Sequence, residues 1–304
     1  MNQTQNLTNS SFLQSVKSKM RDYGMLIKFS LNLTVVFSAT FGYLMALGSS
    51  FEWFYLFVLA LGGFLITSSA NAINQIIEKD YDKMMKRTAN RPLSAGRMDL
   101  TEAVLIAGLT GIGGLALIGY YFNTLAALLG AISLIAYAFV YTPLKRVSPI
   151  AVFVGAIPGA LPILIGYVAA LGGAGLNIIA YSLFAIQFLW QFPHFWAIGW
   201  LGYDDYKKAG FKLLGTKVDG RNRLTALQSL AYIIAMIVVS LIPTIIGITS
   251  WITVVFVLVL GSYFAYTAIR LARRCDNPSA LKMMFASFYY LPIVQIVMVL
   301  DKIF

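Results

Sequence analysis

Charge is what this sequence has least of. Only 12% of its 304 residues are Asp, Glu, Lys or Arg, against about 25% in an ordinary soluble domain. The shortage is sharpest inside the apolar runs. Apart from Lys28, near a helix end, no acid or base falls deep within any of them. A proton- or ion-coupled transporter ordinarily needs an ionisable group at mid-membrane. Its absence argues against transport and for chemistry at a charged rim. Cysteine is nearly absent too, and the single Cys275 excludes an internal disulfide. Cations are missing from the loops after the first, third, fifth and seventh apolar runs. The net charge of +11 is therefore a signal of membrane orientation, and no nucleic acid is expected as a partner.

What is present is apolar length. The chain is 59% hydrophobic, and runs of about twenty residues recur along it, the length that crosses a lipid bilayer as a helix. Nine spans are expected, near 25–47, 53–77, 101–121, 124–141, 149–171, 177–200, 225–248, 250–270 and 280–300. Tyr and Trp cluster near many of their ends, as interfacial anchors do. All the Lys and Arg except Lys302 lie in the N-terminal segment or in loops after even-numbered spans. The positive-inside rule puts these segments in the cytoplasm. The expectation is an all-α polytopic protein of the bacterial plasma (inner) membrane, its N-terminus and polar loops cytoplasmic. Residues 1–20 are read as a disordered tail and 21–304 as a single transmembrane domain.

Two long polar loops, after the second and sixth spans, hold more than half of the twelve carboxylates. In the first, Asn74, Glu78 and Asp82 are spaced i, i+4, i+8 and share one face if the second span continues as a helix. Two carboxylates and an amide oxygen are hard ligands that suit Mg²⁺, which keeps several waters and a substrate phosphate. Arg87 and Arg91 follow, and guanidinium forks bind phosphate oxygens. A diphosphate substrate accounts for both halves of the stretch. The competing account is a solvated helix end whose cations only set orientation; Lys79, Lys83, Lys86 and Arg97 need no more than that. Asp80 lies off the stripe.

The stretch "NQIIEKDYDKMMKRTANRPLSAG" resembles the first signature of the UbiA-type intramembrane prenyltransferases. Asn74, Glu78 and Asp82 fall on its ligand positions, and Arg87, Thr88, Arg91 and Pro92 on its tail. "YTPLKR" (141–146), "GAIPGALPILIGY" (155–167) and "WQFPHFWAIGWLGYDDYKKAGFKLL" (190–214) are similar to the heme O synthase branch. The resemblance spans roughly residues 25–300. It implies nine helices around a central cavity with cytoplasmic capping loops, and Mg²⁺-dependent transfer of a farnesyl group from farnesyl diphosphate to heme B. A downstream heme A synthase is the partner it implies. Position 78 holds Glu where the superfamily usually has Asp. The second acidic signature is reduced to the adjacent pair Asp204–Asp205, assigned a catalytic role.

His194 is the sole histidine. By itself, in an apolar helix, it is more often a hydrogen-bonded structural residue than a site. In the resemblance it is an axial heme ligand or a polar group beside the reacting vinyl, with Trp190, Phe195 and Trp196 forming a flat aromatic slot. Tyr137 and Tyr141 are candidates to shield an allylic cation. Lys145 and Arg146 are expected on diphosphate or heme propionates, or as a plain topology pair. Pro158 and Pro162 are expected to break the fifth span and open the cavity. The rival functions are prenylation of an aromatic acid such as 4-hydroxybenzoate and a transporter with an acidic vestibule.

Overall fold

Short polar side chains begin many of the helices. Asn123, Asn177, Asn222, Ser250 and Asp276 each accept a hydrogen bond from a backbone amide of the first turn, satisfying donors that have no partner within the helix. In the computed structural model, which describes residues 14, 16–48, 51–172, 176–215 and 220–302, nine long helical rods follow one another. They are α1 Phe29–Ala46, α2 Trp53–Asp82, α3 Leu100–Tyr121, α4 from Thr124, α5 Ala151–Ala170, α6 Ile178–Leu201, α7 Arg223–Ser240, α8 Trp251–Arg274 and α9 Asn277–Leu300. α4 runs through a π-helical stretch, Ala136–Tyr141, to Val147.

Eight of these rods are both long and apolar enough to cross a membrane. The ninth, α6, is 24 residues long but carries Gln187, Gln191 and His194 in its buried face, which lowers its hydropathy. Each expected span corresponds to one rod. The first is shorter than expected, because the chain breaks at Lys28, whose backbone is left-handed (φ 53°). Residues 16–26 before it are helical, so the described part of the expected tail is helix; 1–13 and 15 lie outside the described residues, as does Asp219.

Lipid removes the hydrophobic drive between helices, so packing rests on close approach. α2 packs against α3, α1 against α5, α6 against α5, α7 and α9, and α8 against α7 and α9; α9 also meets α1 and closes the set. Gly166 of α5 faces the carbonyl of Ala39 on α1 so closely that a side-chain carbon there would overlap it. The prolines do not break α5 as expected. It is continuous over Ala151–Ala170 with both inside. Pro162 cannot donate to the carbonyl of Pro158, and Ser133 of α4 donates to that carbonyl instead, at 3.1 Å.

Candidate active site

α2 continues as helix to Asp82, past the end of the expected span, and this places Asn74, Glu78 and Asp82 on one buried stripe. Each meets a cation from a different segment. Lys28 Nζ donates to Asn74 Oδ1 at 2.7 Å. Lys145 forms an ion pair with Glu78. Arg91 Nη1 lies 2.6 Å from Asp82 Oδ2. The break at Lys28, the C-terminal end of α4 and the loop after α2 thus converge on one face of one helix.

The orientation of Asn74 follows from its neighbour. Thr142 donates its only proton to the carbonyl of Tyr137 at 2.9 Å, so it can only accept from Asn74 Nδ2, 3.1 Å away. That leaves Oδ1 as the atom facing Lys28. The π-helical stretch provides the Tyr137 carbonyl, and such stretches often mark functional positions. It also sets Tyr137 and Tyr141 side by side, ring centroids 5.3 Å apart. Lys145 Nζ lies over the rings of Tyr141 and Phe211, at 4.8 and 5.3 Å.

The two polar loops pack on each other. Arg87 stacks on Tyr206 at 4.2 Å and Arg146 on Tyr81 at 3.9 Å. Met85, Tyr206, Ala209 and Phe211 form a small apolar cluster between the loops. The backbone amide of Lys212 donates to the carbonyl of Lys145 at 2.6 Å. A cavity of about 250 Å³ adjoins this cluster, with Tyr203, Tyr206 and Phe211 in its wall.

Not every expected residue joins the stripe. Asp204 is exposed and paired with Arg221 at 3.3 Å. Asp205 is half-buried in the short helix Tyr203–Lys208. Among the described residues no three His, Cys, Asp or Glu side chains gather as a metal cluster. Asp80 is exposed and paired with Lys83. Arg97, read as an orientation signal, holds Asp22 through both Nε and Nη2 and ties the N-terminal helical segment to the loop.

His194 and Trp190 form a second centre, between α6 and α9. Their rings stack at 4.6 Å with planes 16° apart. Phe288 meets the imidazole edge-on at 4.9 Å, and Phe195 lies 5.8 Å from it. Trp196 instead meets Phe192 and Tyr232, so the expected slot is built from Phe288 and lacks Trp196. Among the described residues none of these ring contacts or hydrogen bonds reaches the stripe. The centre lies about 10 Å inside the C-terminal end of α6, at 1.5 Å per residue.

The chain that builds this stripe of one asparagine and two acids, met by two lysines and one arginine, has counterparts among known proteins. The model of the UbiA prenyltransferase family matches residues 35–291. The chain belongs to this family. A relative named protoheme IX farnesyltransferase from Cytophaga hutchinsonii is 46% identical over 287 residues, 94% of this chain and 99% of its own. Among solved structures, a digeranylgeranylglyceryl phosphate synthase aligns with a TM-score of 0.76 at 20% identity, over 93% of this chain and 98% of its own. A UbiA homolog from Archaeoglobus fulgidus, bound to GPP and Mg²⁺, aligns at 0.68 and 17%, over 91% and 99%. At these identities the structures establish the shared fold.

Sequence reasoning missed several residues of this candidate site. Lys28 reads in the sequence as a cation near a helix end; its being the one base inside an apolar run is its signal. Tyr206 and Phe211 lie within the "DDYKKAGF" stretch but carry no charge to flag them. Ser287, which contacts His194, has no signal in the sequence.

Proposed function

We propose that this UbiA family member transfers the farnesyl group of farnesyl diphosphate to the 2-vinyl group of heme B, giving heme O. The observation that carries the reading is the division of the site. A charged centre suited to a diphosphate sits at the cytoplasmic ends of α2 and α4, and an imidazole–indole stack suited to a flat metal-bearing ring sits deeper, between α6 and α9. The C. hutchinsonii relative, nearly collinear with this chain, bears the name of that activity.

The stripe fits Mg²⁺. Its donors are hard oxygens, and Asp82 Oδ1 is buried with no hydrogen-bond partner among the described residues. Asn74, Glu78 and Asp82 would hold the ion, which when bound supplies charge neutralisation for the departing diphosphate. Arg91 and Lys145 stabilise the same charge, and Arg87 and Arg146 stand at the rim as further phosphate partners. Tyr137 and Tyr141, side by side with Lys145 over the second ring, offer ring faces that favour an allylic cation and exclude water. The carbon–oxygen bond of the diphosphate breaks, and the terminal vinyl carbon attacks the allylic carbon. Water adds at the inner vinyl carbon and loses a proton, giving a hydroxyethylfarnesyl group, diphosphate and one proton. His194 orients the heme through its iron. We assign uptake of the proton to the carboxylate of Asp205, half-buried in the short helix Tyr203–Lys208; Asp204, turned to Arg221, is a cap residue.

The protein acts from the cytoplasmic side of a bacterial plasma membrane, drawing both apolar substrates from the bilayer, and a heme A synthase is the enzyme placed to consume the product. The test is release of diphosphate from farnesyl diphosphate by purified protein. It should require both heme B and Mg²⁺. Release supported by 4-hydroxybenzoate and not by heme B would overturn the reading.

A further inference from the structure

Ser287 of α9 is fully buried against His194 of α6. Its hydroxyl makes two contacts, 2.5 Å to the carbonyl of Met284 and 2.8 Å to Nδ1 of His194. A hydroxyl has one proton. The Met284 carbonyl can only accept, so the proton of Ser287 lies there. Turned toward the imidazole instead, it would leave two oxygens facing each other at 2.5 Å with nothing between them. Nδ1 must therefore donate in the second contact. A neutral imidazole has a single ring proton, so Nε2 is left with a bare lone pair.

The same serine fixes the neighbouring ring. Its backbone carbonyl accepts from Trp190 Nε1 at 2.8 Å. Trp190 covers one face of His194 and Phe288 meets it edge-on. One residue of α9 thus anchors both members of the stacked pair, and packing resists a flip that would exchange the two nitrogens. No partner of Nε2 is found among the described residues.

We propose that Ser287 is a positioning residue that locks His194 in the Nδ1–H tautomer and presents Nε2 to the iron of the heme substrate. The second half rests on the reading of His194 given above; the first rests on geometry alone. Histidines that ligate metals generally donate their other N–H to an oxygen, which sets the tautomer and raises ligand basicity. Here that oxygen is a hydroxyl whose own proton is already committed to its helix.

The chain's single histidine makes the test direct. Protein labelled with ¹⁵N-histidine and held in detergent has one pair of ring nitrogens. Without heme, Nδ1 should show the protonated signal and Nε2 the bare one. Ser287→Ala should move the proton partly or wholly to Nε2, and Ser287→Thr, which keeps the hydroxyl, should not. A proton on Nε2 in the wild-type protein, or an unchanged spectrum in Ser287→Ala, overturns the lock. Ferric heme B titrated by absorbance should bind Ser287→Ala about tenfold or more weakly, the scale on which such oxygen partners act, with binding recovered in Ser287→Thr. If the lock is present but His194→Ala and Ser287→Ala both bind heme as the wild type does, the heme half and the reading beneath it fail while the tautomer stands.

Discussion

Glu78 and Lys145 form a buried ion pair between α2 and the C-terminal end of α4, their side chains 6% and 10% exposed. Removing one partner of such a pair strands a charge and costs about 3–5 kcal/mol. Lys145→Met should lower stability by about that amount in detergent unfolding. Adding Glu78→Gln should recover much of the stability and none of the turnover. Lys83→Met, which breaks the exposed pair with Asp80, should change stability by less than about 1 kcal/mol.

The stripe itself should be indispensable to turnover. Glu78→Gln and Asp82→Asn should each cut farnesyl transfer roughly a hundredfold or more, the scale of losing one charge-stabilising group at a reacting centre. Both variants should still insert and elute as folded species, with Glu78→Gln less stable because it strands Lys145. Glu78→Asp keeps the charge and should retain measurable activity. A chelator should abolish transfer, and Mg²⁺ should restore it. Full activity in both neutral variants would remove the metal role.

Gly155 of α5 lies against the ring of Tyr141, where an added Cβ would sit 2.6 Å from two ring carbons. The ring must move to admit a methyl group, and Lys145 lies over that ring. Gly155→Ala should therefore reduce turnover by up to about a hundredfold, the cost of misplacing a reacting group by about 1 Å. Steady-state kinetics would check this; unaltered turnover would mean that Tyr141 is not part of the working geometry.

At the opposite end of the bundle, Asp301 accepts hydrogen bonds from the amides and hydroxyls of Ser250 and Thr253. Burial pushes its carboxyl up, but these hydrogen bonds outweigh burial and hold it below the ordinary carboxylate range. A depressed folded pKa means that the stabilisation is complete above the unfolded value of about 4 and is lost as pH falls through the lower folded value. Thermal unfolding of wild type and Asp301→Asn should differ at neutral pH and converge in acid below that point. A difference that persists unchanged in acid would show that charge is not what Asp301 contributes.

The spans and the stripe were legible because each leaves a periodic signal. About twenty apolar residues announce a helix, and i, i+4, i+8 spacing announces one face. α6 illustrates the limit. Its glutamines and histidine lower its hydropathy, yet Gln187 and Gln191 donate inward to carbonyls of α5. Pro158 and Pro162 misled because sequence shows the lost donor but not Ser133, which replaces it. Lys28, Thr142 and Ser287 act across 46, 68 and 93 residues of chain, and no local pattern connects such partners. Thr142 and Ser287 work alike: each spends its proton on a helix carbonyl and so dictates which atom its neighbour presents.

Mass analysis of the heme tests the central claim most directly. Purified protein is incubated with heme B, farnesyl diphosphate and Mg²⁺ in ¹⁸O-labelled water. The account predicts a heme heavier by one farnesyl group and one hydroxyl whose oxygen comes from the water. An unmodified heme, with the prenyl group found on an aromatic acid offered in its place, would contradict it.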